Sequence, residues 1–416
     1  MNEKQNLRLK RNVGLDYVHT FLSNMNMQSS IWVLYLAYCG LHLAQIGLLE
    51  GIYHATSIVC EIPSGAAADL WGRKRCMILS NLCIAVSCVI MLFSKSFGWF
   101  AVSFAVQALG NNLNSGSEEA LVYDSMKCLG QEEHYMGVYG RLNVLIEVAQ
   151  GLATVAGGVL AEFSYFWCYA ACVVIAVLAL LPVLWMAEPP QCGKAADTAG
   201  RSAKDAPAEG TPAQRTIWET VKHHFAVSIL QKDARIGKII GFYSVVFAAH
   251  TLLFFYSQQY FADFGYNKVQ ISVIMLLVGG ASCLGALASA KMYRRFGKRC
   301  LIPETVIIAA AILCYGSEKA GVAAAALMCA GFANAALYPV QSDSLNALIP
   351  SEQRATLISV DSMCFSIAMI VLFPLAGALA DRWGLKTVLL LLGAILLLFL
   401  LTVICIEKES FSSDHS

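Results

Sequence analysis

Residues 65–75 read Gly65-Ala-Ala-Ala-Asp-Leu-Trp-Gly-Arg-Lys-Arg75, a short basic turn that follows one long apolar stretch and precedes another. Its two glycines permit a tight turn and a close approach of the flanking helices. A comparable basic turn stands after the eighth apolar stretch, Gly285-Ala-Leu-Ala-Ser-Ala-Lys-Met-Tyr-Arg-Arg-Phe-Gly-Lys-Arg299. Because the two turns occupy the same place in each half of the chain, the sequence predicts two repeated helical halves.

The composition indicates that lipid, rather than water, surrounds most of the chain. Of its 416 residues, 57% are hydrophobic and 14% are charged, whereas soluble domains carry roughly 25% charged residues. The formal net charge of +1 and the lack of a basic stripe argue against a nucleic-acid partner. Most of the 15 cysteines lie in apolar runs without metal-ligand spacing, so we expect buried thiols and neither a metal site nor another cofactor.

Twelve apolar stretches are long enough for transmembrane helices, which need about 20 residues each. The sequence therefore predicts an all-α membrane protein with twelve spans. The predicted spans are 16–38, 44–69, 76–94, 98–124, 138–161, 167–187, 238–260, 269–290, 300–316, 321–347, 354–380 and 386–407.

The basic residues predict the orientation of these spans. With the N-terminus in the cytoplasm, 24 of the 29 Lys and Arg residues fall in cytoplasmic segments. Without the eight in residues 188–238, which are the central linker and the start of the seventh span, 16 still stand against 5. Positive charge is retained on the cytoplasmic side of membranes, so we expect both termini in the cytoplasm and the protein in the inner, or plasma, membrane.

A polar linker divides the predicted spans into two groups of six. The predicted domains are an N-terminal six-helix bundle over 1–187, a cytoplasmic linker over 188–235 and a C-terminal six-helix bundle over 236–416. Within the linker, apolar residues recur every four positions over Thr216–Gln231. This pattern predicts either an amphipathic helix on the membrane surface or the start of a longer seventh helix.

Six residues of the first basic turn match G-x-L-A-D-R-x-G-R-K, the loop signature of the major facilitator superfamily, which the chain resembles. The segment Ile349–Ala355 is similar to the loop that follows the tenth helix in that family. The resemblance covers essentially the whole chain and implies a monomeric, non-enzymatic transporter that moves a small molecule by alternating access. The matching residues are Gly65, Ala68, Asp69, Gly72, Arg73 and Lys74, while Ala67 and Leu70 depart from the signature.

The resemblance also implies a gating role for this turn. Gly65 and Gly72 shape it, and the Asp69 carboxylate is placed to meet the positive N-terminal end of another helix, such as the eleventh. Arg73 is expected to pair with Asp124 at the inner end of the fourth span. The alternative is a basic loop that only fixes the topology.

Within that family the chain resembles bacterial efflux proteins most. Two sequence patterns of the drug–proton antiporters are nevertheless absent from it. Val106 stands four residues before Gly110, where those proteins carry Arg. Ala153-Thr154 replaces their Gly-Pro ahead of the paired glycines at Gly157. The resemblance to that subgroup is therefore partial.

Polar residues recur at i, i+4, i+7 and i+11 within several predicted spans, which places them on one helical face. Such faces normally contact protein or water rather than lipid, so they are candidate linings of a substrate cavity. Hydrogen bonding between packed helices is the alternative explanation for each residue. The candidates are Asn24, Gln28, His54, Asn111, Asn114, Gln150, His250, Asn334, Tyr338, Gln341 and Asp343.

Three intramembrane acids are the candidates for proton coupling: Glu118, Glu147 and Asp361. With a rise of about 1.5 Å per residue, Glu118 and Glu147 fall at similar depth on neighbouring helices. Like charges that close cannot both ionise cheaply, so one is expected to hold a proton. No Lys or Arg lies at comparable depth, which favours a neutral or cationic organic amphiphile over an anion.

The leading functional hypothesis is proton-coupled secondary transport, with export preferred over uptake. An uptake symporter for a neutral or cationic nutrient is the alternative within the same class. A sensor or an intramembrane enzyme on the same fold is the alternative from another class. The chain lacks the HExxH, GxSxG and phosphate-loop motifs, which argues against an enzyme and leaves the proton gradient as the expected energy source.

Overall fold

The computed structural model describes residues 3–190, 234–297, 301–348 and 354–413, and these residues form α-helices and two short 3-10 turns with no strand. The predicted all-α class is confirmed. The predicted surface helix over Thr216–Gln231 lies outside the described residues. The helices are α1 Glu3–Ser23, α2 Trp32–Tyr38, α3 Leu43–Trp71, α4 Arg73–Phe93, α5 Phe97–Asn114, α6 Ser117–Cys128, α7 Tyr135–Phe163, α8 Tyr165–Trp185, α9 Ala234–Asp263, α10 Lys268–Phe296, α11 Leu301–Cys314, α12 Ala320–Leu348, α13 Arg354–Trp383 and α14 Leu385–Ser413.

These helices account for twelve spans because two of the spans are each built from two helices. The first span is interrupted between α1 and α2, and the fourth between α5 and α6. The prediction of continuous helices over 16–38 and 98–124 was therefore wrong. Eight of the described helices are long and apolar enough to cross a membrane individually, as expected for a multi-pass membrane protein.

Local chemistry explains both interruptions. The segment after α1 runs Asn24-Met-Asn-Met-Gln-Ser-Ser30, and such polar side chains compete with helical hydrogen bonds for the backbone. In the fourth span, Gly116 adopts a left-handed conformation with φ of 74° and precedes the first residue of α6. Only glycine adopts this conformation without strain, so Gly116 ends one helix and starts the next.

The chain forms two compact units that interleave along the sequence. The first contains Met1–Gln28, Ala55–Ala156 and Ser164–His223. The second contains Ser29–His54, Gly157–Phe163 and His224–Ser416. Segments from the N-terminal half of the sequence are thus part of the second unit, while the predicted division of the chain at 188–235 stays a prediction.

Each unit has its own packed helices. In the first, α4 packs against α5 and α8, and α1 packs against α6 and α8. In the second, α10 and α11 both pack against α12, and α9 packs against α13. Small apolar clusters fill the contacts: Met77, Leu121, Val183 and Met186 in the first unit, and Ile236, Ile240, Leu345 and Val360 in the second.

Candidate functional site

The side chain of Glu118 is the centre of a polar cluster in the first unit. It lies in the first turn of α6, directly after the break at Gly116. One carboxylate oxygen accepts a hydrogen bond from the Thr20 hydroxyl at 2.7 Å, and the other accepts from the Asn114 amide at 2.7 Å. The exposed backbone N–H groups of a helix N-terminus favour negative charge. The break therefore places an acid at the start of a helix, between side chains of α1 and α5.

His19 faces the same carboxylate from α1. Its ring is buried, and Nδ1 lies 3.0 Å from the carbonyl oxygen of Ala179. Because a carbonyl only accepts, Nδ1 carries the hydrogen, and Nε2 of the neutral ring has a lone pair. Nε2 lies 4.0 Å from Glu118 Oε1. Two acceptors facing each other are stabilised when a proton resides on one of them, so this arrangement is suited to holding one.

Asp16 is a second acid on this face of α1. It is 1% exposed, and neither of its carboxylate oxygens has a hydrogen-bond partner among the described residues. It interacts electrostatically with Glu118. A buried ionised carboxylate without donors is costly, whereas the protonated form is much less so. We define the polar cluster as the five residues Asp16, His19, Thr20, Asn114 and Glu118.

A further hydrogen bond extends the polar cluster towards α7. The Gln150 amide donates to the Asn24 side-chain oxygen at 3.3 Å, and Asn24 donates to the carbonyl of Thr20 at 2.8 Å. Helices α1, α5, α6 and α7 thus all contribute side chains to one hydrogen-bonded region. The predicted residues Asn24, Asn114, Glu118 and Gln150 are brought together there.

Other predicted residues of the first unit are placed differently. Glu147 is exposed on α7 and Asn111 is exposed on α5, while Gln28 lies in the turn that follows α1. The predicted pairing of Glu147 with Glu118 stays a prediction. The predicted polar face on one continuous fourth helix was wrong, because the break at Gly116 separates Asn111 and Asn114 from Glu118.

In the second unit, the predicted residues Gln341 and Asp361 form a pair. The Gln341 amide donates to both carboxylate oxygens of Asp361, at 2.8 and 3.0 Å. On α12, the helix of Gln341, Tyr338 and Asp343 are exposed, and Asn334 is half-buried with its side-chain oxygen unpartnered among the described residues. His250 on α9 is also half-buried, and its Nε2 has no hydrogen-bond partner in the described part of the chain.

His54 is a contact between two helices of the second unit. Its Nδ1 lies 3.2 Å from the Ser366 hydroxyl on α13, and its Nε2 lies 3.7 Å from a carboxylate oxygen of Glu50 one turn earlier. Both residues of α3 are buried. This geometry fits the inter-helix explanation that was the alternative for His54.

The basic turn is held by acids of its own unit. Arg73 forms the predicted ion pair with Asp124 and also donates to the carbonyl of Ala120. Glu188 accepts from the backbone N–H groups of Arg73 and Lys74, at 2.8 Å each, and so caps α4. Gly72 has a positive φ of 94°, consistent with its predicted turn role. Gly65 lies within α3, and the side chain of Asp69 lies outside the described residues.

The prediction missed Asp16, His19 and Thr20 because the first span was placed to begin at residue 16. Helix α1 starts at Glu3, so these residues are well inside it. Their spacing of i, i+3 and i+4 puts them on one face. This polar face of α1 is the sequence pattern from which the three residues could have been predicted.

Comparison with known proteins identifies the relatives of the chain. The model of the Major Facilitator Superfamily matches residues 18–317 and 305–414. The Bacillus subtilis (strain 168) protein described as "Uncharacterized MFS-type transporter YxaM" is 20% identical over 387 residues, covering 92% of each chain. An "Uncharacterized transporter" of Buchnera aphidicola subsp. Schizaphis graminum (strain Sg) is 29% identical over 137 residues, covering 32% of this chain and 34% of that protein.

Solved structures share the fold at low sequence identity. The nucleoside transporter NupG superposes with a TM-score of 0.75 at 14% identity, covering 98% of this chain and 100% of that one. A D-xylose-proton symporter superposes with a TM-score of 0.66 at 14% identity, covering 96% and 97% of the two chains. At this identity the likeness concerns the fold.

Proposed function

The chain belongs to the major facilitator superfamily, and we propose that it is a secondary transporter in which the polar cluster binds the coupling proton. The family assignment rests on a match that spans nearly the whole chain. The observation that carries the proton proposal is the pair of acids, Asp16 and Glu118, which no Lys or Arg side chain approaches within ion-pair distance in the described part of the chain.

Proton binding at this cluster would change the contacts of several helices. Ionised Glu118 accepts from Thr20 on α1 and from Asn114 on α5, and so ties both helices to the start of α6. A protonated carboxyl group donates one hydrogen bond and accepts more weakly. Protonation of Glu118 therefore loosens the tie across the break at Gly116. In this way one proton alters the arrangement of α1, α5 and α6.

The substrate class follows from the sign of the charges. The polar cluster contains two acids and one histidine, which suits a neutral or cationic organic solute and disfavours an anion. Binding such a solute near the cluster would compete with the proton. Competition of this kind gives exchange of solute for protons, so the proposed direction is export from the cytoplasm through the cell membrane, by a monomer.

Purified protein in proteoliposomes tests this proposal. We would impose a pH gradient and follow uridine, xylose and the cationic dye ethidium, chosen to cover neutral and cationic solutes. Movement of at least one solute against its gradient, abolished by a protonophore, is the expected result. Solute and protons moving in the same direction would reassign the protein to uptake. Flux of any solute that is insensitive to the pH gradient would contradict proton coupling, and tight binding without flux would favour a sensor.

A further inference from the structure

Four buried oxygen atoms at the polar cluster and the neighbouring Ser117 receive no hydrogen bond from the described part of the chain. They are both carboxylate oxygens of Asp16 and the side-chain oxygens of Asn114 and Ser117. Asp16 and Ser117 are each 1% exposed. Buried polar atoms of native proteins are nearly always satisfied by protein, by water or by an ion. The four oxygens therefore indicate that this region binds a group that the protein itself does not supply.

Two hydrogen bonds between α1 and α6 locate Asp16. The Asn12 amide donates to the Ser125 hydroxyl at 2.8 Å, and the Thr20 hydroxyl donates to Glu118 at 2.7 Å. Asp16 lies four residues from both Asn12 and Thr20, so it is on the same face of α1 and between the two hydrogen bonds. The Asp16 carboxylate is thus enclosed between α1 and α6.

The helix break brings the other two oxygens to the same place. Ser117, the first residue of α6, lies two turns before Ser125 and therefore on the side of α6 that contacts α1. Asn114, the last residue of α5, donates to Glu118 through its amide nitrogen, so the oxygen of the same amide group is close to that carboxylate. The C-terminal end of α5 carries the negative end of the helix dipole, which attracts a cation.

The chemistry of these oxygens favours a small hard cation. Carboxylate, amide and hydroxyl oxygens are the ligands of hard metal ions, which contact several of them at once. A proton joins only two oxygens and leaves the others unsatisfied. No group of three or more His, Cys, Asp or Glu side chains within the described ranges is arranged to hold a metal ion, which disfavours a transition metal. Because hydrogen bonds hold α1 close to α6, the space suits Na⁺ better than the larger K⁺.

We propose that the polar cluster and Ser117 form a Na⁺ site, in which Na⁺ and the coupling proton compete. Asp16 and Glu118 supply the negative charge, and Asn114 and Ser117 supply neutral oxygen ligands. One Na⁺ displaces one proton, so the total charge of the site is unchanged. This site rests on the proposed function for its proton and adds a second ion at the same residues. Bound Na⁺ leaves Glu118 ionised and keeps its tie to Thr20, whereas the proton loosens that tie.

The competition predicts that Na⁺ binding depends on pH. Among the described residues, Asp16 interacts electrostatically with Glu118 on α6 and with Tyr135 at the start of α7, and His19 lies beside Glu118. Helix α8, which also packs against α1, has no charged residue. Tyrosine keeps its proton near neutral pH. Since each bound Na⁺ releases one proton, its Kd should rise by up to about tenfold for each unit by which the pH falls.

Binding of radioactive Na⁺ to the purified full-length protein in detergent tests the site. We expect saturable binding that excess unlabelled Na⁺ displaces and that K⁺ and choline do not. Asp16→Asn should raise the Kd at least about tenfold, because it removes a charged ligand from a buried site. Ser117→Ala should raise it about fivefold, because it removes one neutral ligand.

Ser125→Ala is the matched control for Ser117→Ala. It also removes a buried hydroxyl from α6, but Asn12 already donates to that hydroxyl, so the Kd should equal that of the wild type. Size-exclusion chromatography and the Tm without Na⁺ identify any variant that does not fold. If Asp16→Asn is such a variant, the comparison of Ser117→Ala with Ser125→Ala decides.

Several results would overturn the Na⁺ site. These are the absence of saturable binding at every pH at which the wild type stays folded, displacement by K⁺ as effective as by Na⁺, and a wild-type Kd in Ser117→Ala. A Kd that does not change with pH would contradict the competition with the proton.

The binding measurement needs neither a solute nor a gradient, so its outcome is separate from that of the transport assay. Proton-coupled flux without Na⁺ binding would overturn the Na⁺ site and leave the proposed function in place. Na⁺ binding with the expected Kd values, together with solute flux that ignores the pH gradient, would leave the site in place and contradict proton coupling.

Discussion

The two compact units hold their membrane acids in different ways. In the first, Glu118 lies beside a broken helix, and its neighbour Asp16 is buried without a donor. In the second, Asp361 lies on the continuous helix α13, and one Gln341 amide donates to both of its oxygens. Glu118 and Asp361 each have a hydrogen-bond donor at both carboxylate oxygens, so the difference between the units is Asp16, which has none among the described residues. The proposal therefore places the proton in the first unit, at Asp16 and its neighbour Glu118, and treats Asp361 as a structural contact.

The largest difference between the two units is expected when one acid of each is neutralised. We expect Asp16→Asn to reduce pH-driven flux in proteoliposomes about tenfold or more, because a residue acting in the proton step changes turnover itself. Asp361→Asn should keep at least about half of the flux, since Asn still accepts from Gln341. The reverse order of effects would move the proton site to the second unit.

The helix break provides the next largest effect. Gly116→Ala places a side chain in the left-handed region, at a cost of roughly 1–2 kcal/mol, and should lower the Tm by about 2–4 °C per kcal/mol. It should also weaken the coupling of solute flux to proton flux, because the strained residue directly precedes the first turn of α6, which contains Glu118. Gly321→Ala is the control, since a Cβ there meets open space at an ordinary φ. Equal Tm values for the two variants would show that the backbone at residue 116 can leave the left-handed conformation at no cost in stability.

The basic turn of the first unit is expected to contribute stability of intermediate size. Arg73 and Asp124 form a half-exposed ion pair. A double-mutant cycle with Arg73→Ala and Asp124→Ala should give a coupling energy of about 1 kcal/mol. Chemical unfolding in detergent provides the measurement. A coupling energy near zero would favour the alternative, in which the basic turn only fixes the membrane topology.

The smallest expected effect concerns an exposed pair of the second unit. The Lys386 ammonium lowers the pKa of Glu318 below its ordinary value of 4.5. A lowered folded pKa means that the pair stabilises the protein above the ordinary pKa, and that this contribution is lost as the pH falls through the lowered value. We expect Glu318→Gln to change the Tm by less than about 1 °C at pH 7. High salt should abolish even that difference, and a larger or salt-insensitive change would contradict a solvent-screened pair.

Much of the fold could be predicted because hydrophobic length and turn chemistry are local properties. The start and end of α3 follow from the apolar stretch between Gly40 and Gly72, and the ion pair of Arg73 with Asp124 follows from the basic turn. The helix breaks were harder to predict from the sequence, because Gly116 is one of 31 glycines and nothing in the sequence distinguishes it from those within helices. A left-handed φ is chosen by tertiary packing rather than by the residue alone.

The candidate site was predicted in part for similar reasons. Asn114 and Glu118 were both among the candidates because of their polar character, but their hydrogen bond spans the break at Gly116 and does not follow from helical spacing. Asp16 was missed because the start of a membrane helix is poorly defined by hydropathy when polar residues continue the helix beyond the lipid. Hydrogen bonds between helices, such as those from the backbone N–H groups of Leu43 and Lys268 to Asp381 and Glu162, depend on which helices meet. Residue spacing along one helix contains no information on that.

Replacing Glu118 tests the central claim most directly. Glu118→Gln keeps the size of the side chain and one acceptor oxygen, for either Thr20 or Asn114, but it cannot exchange a proton. Glu133→Gln, at an exposed position in the short turn before α7, is the matched control. In proteoliposomes with a pH-sensitive dye inside, we expect Glu118→Gln to abolish solute-driven proton movement while solute binding persists, and Glu133→Gln to retain that movement. Proton movement that persists in Glu118→Gln would contradict the account.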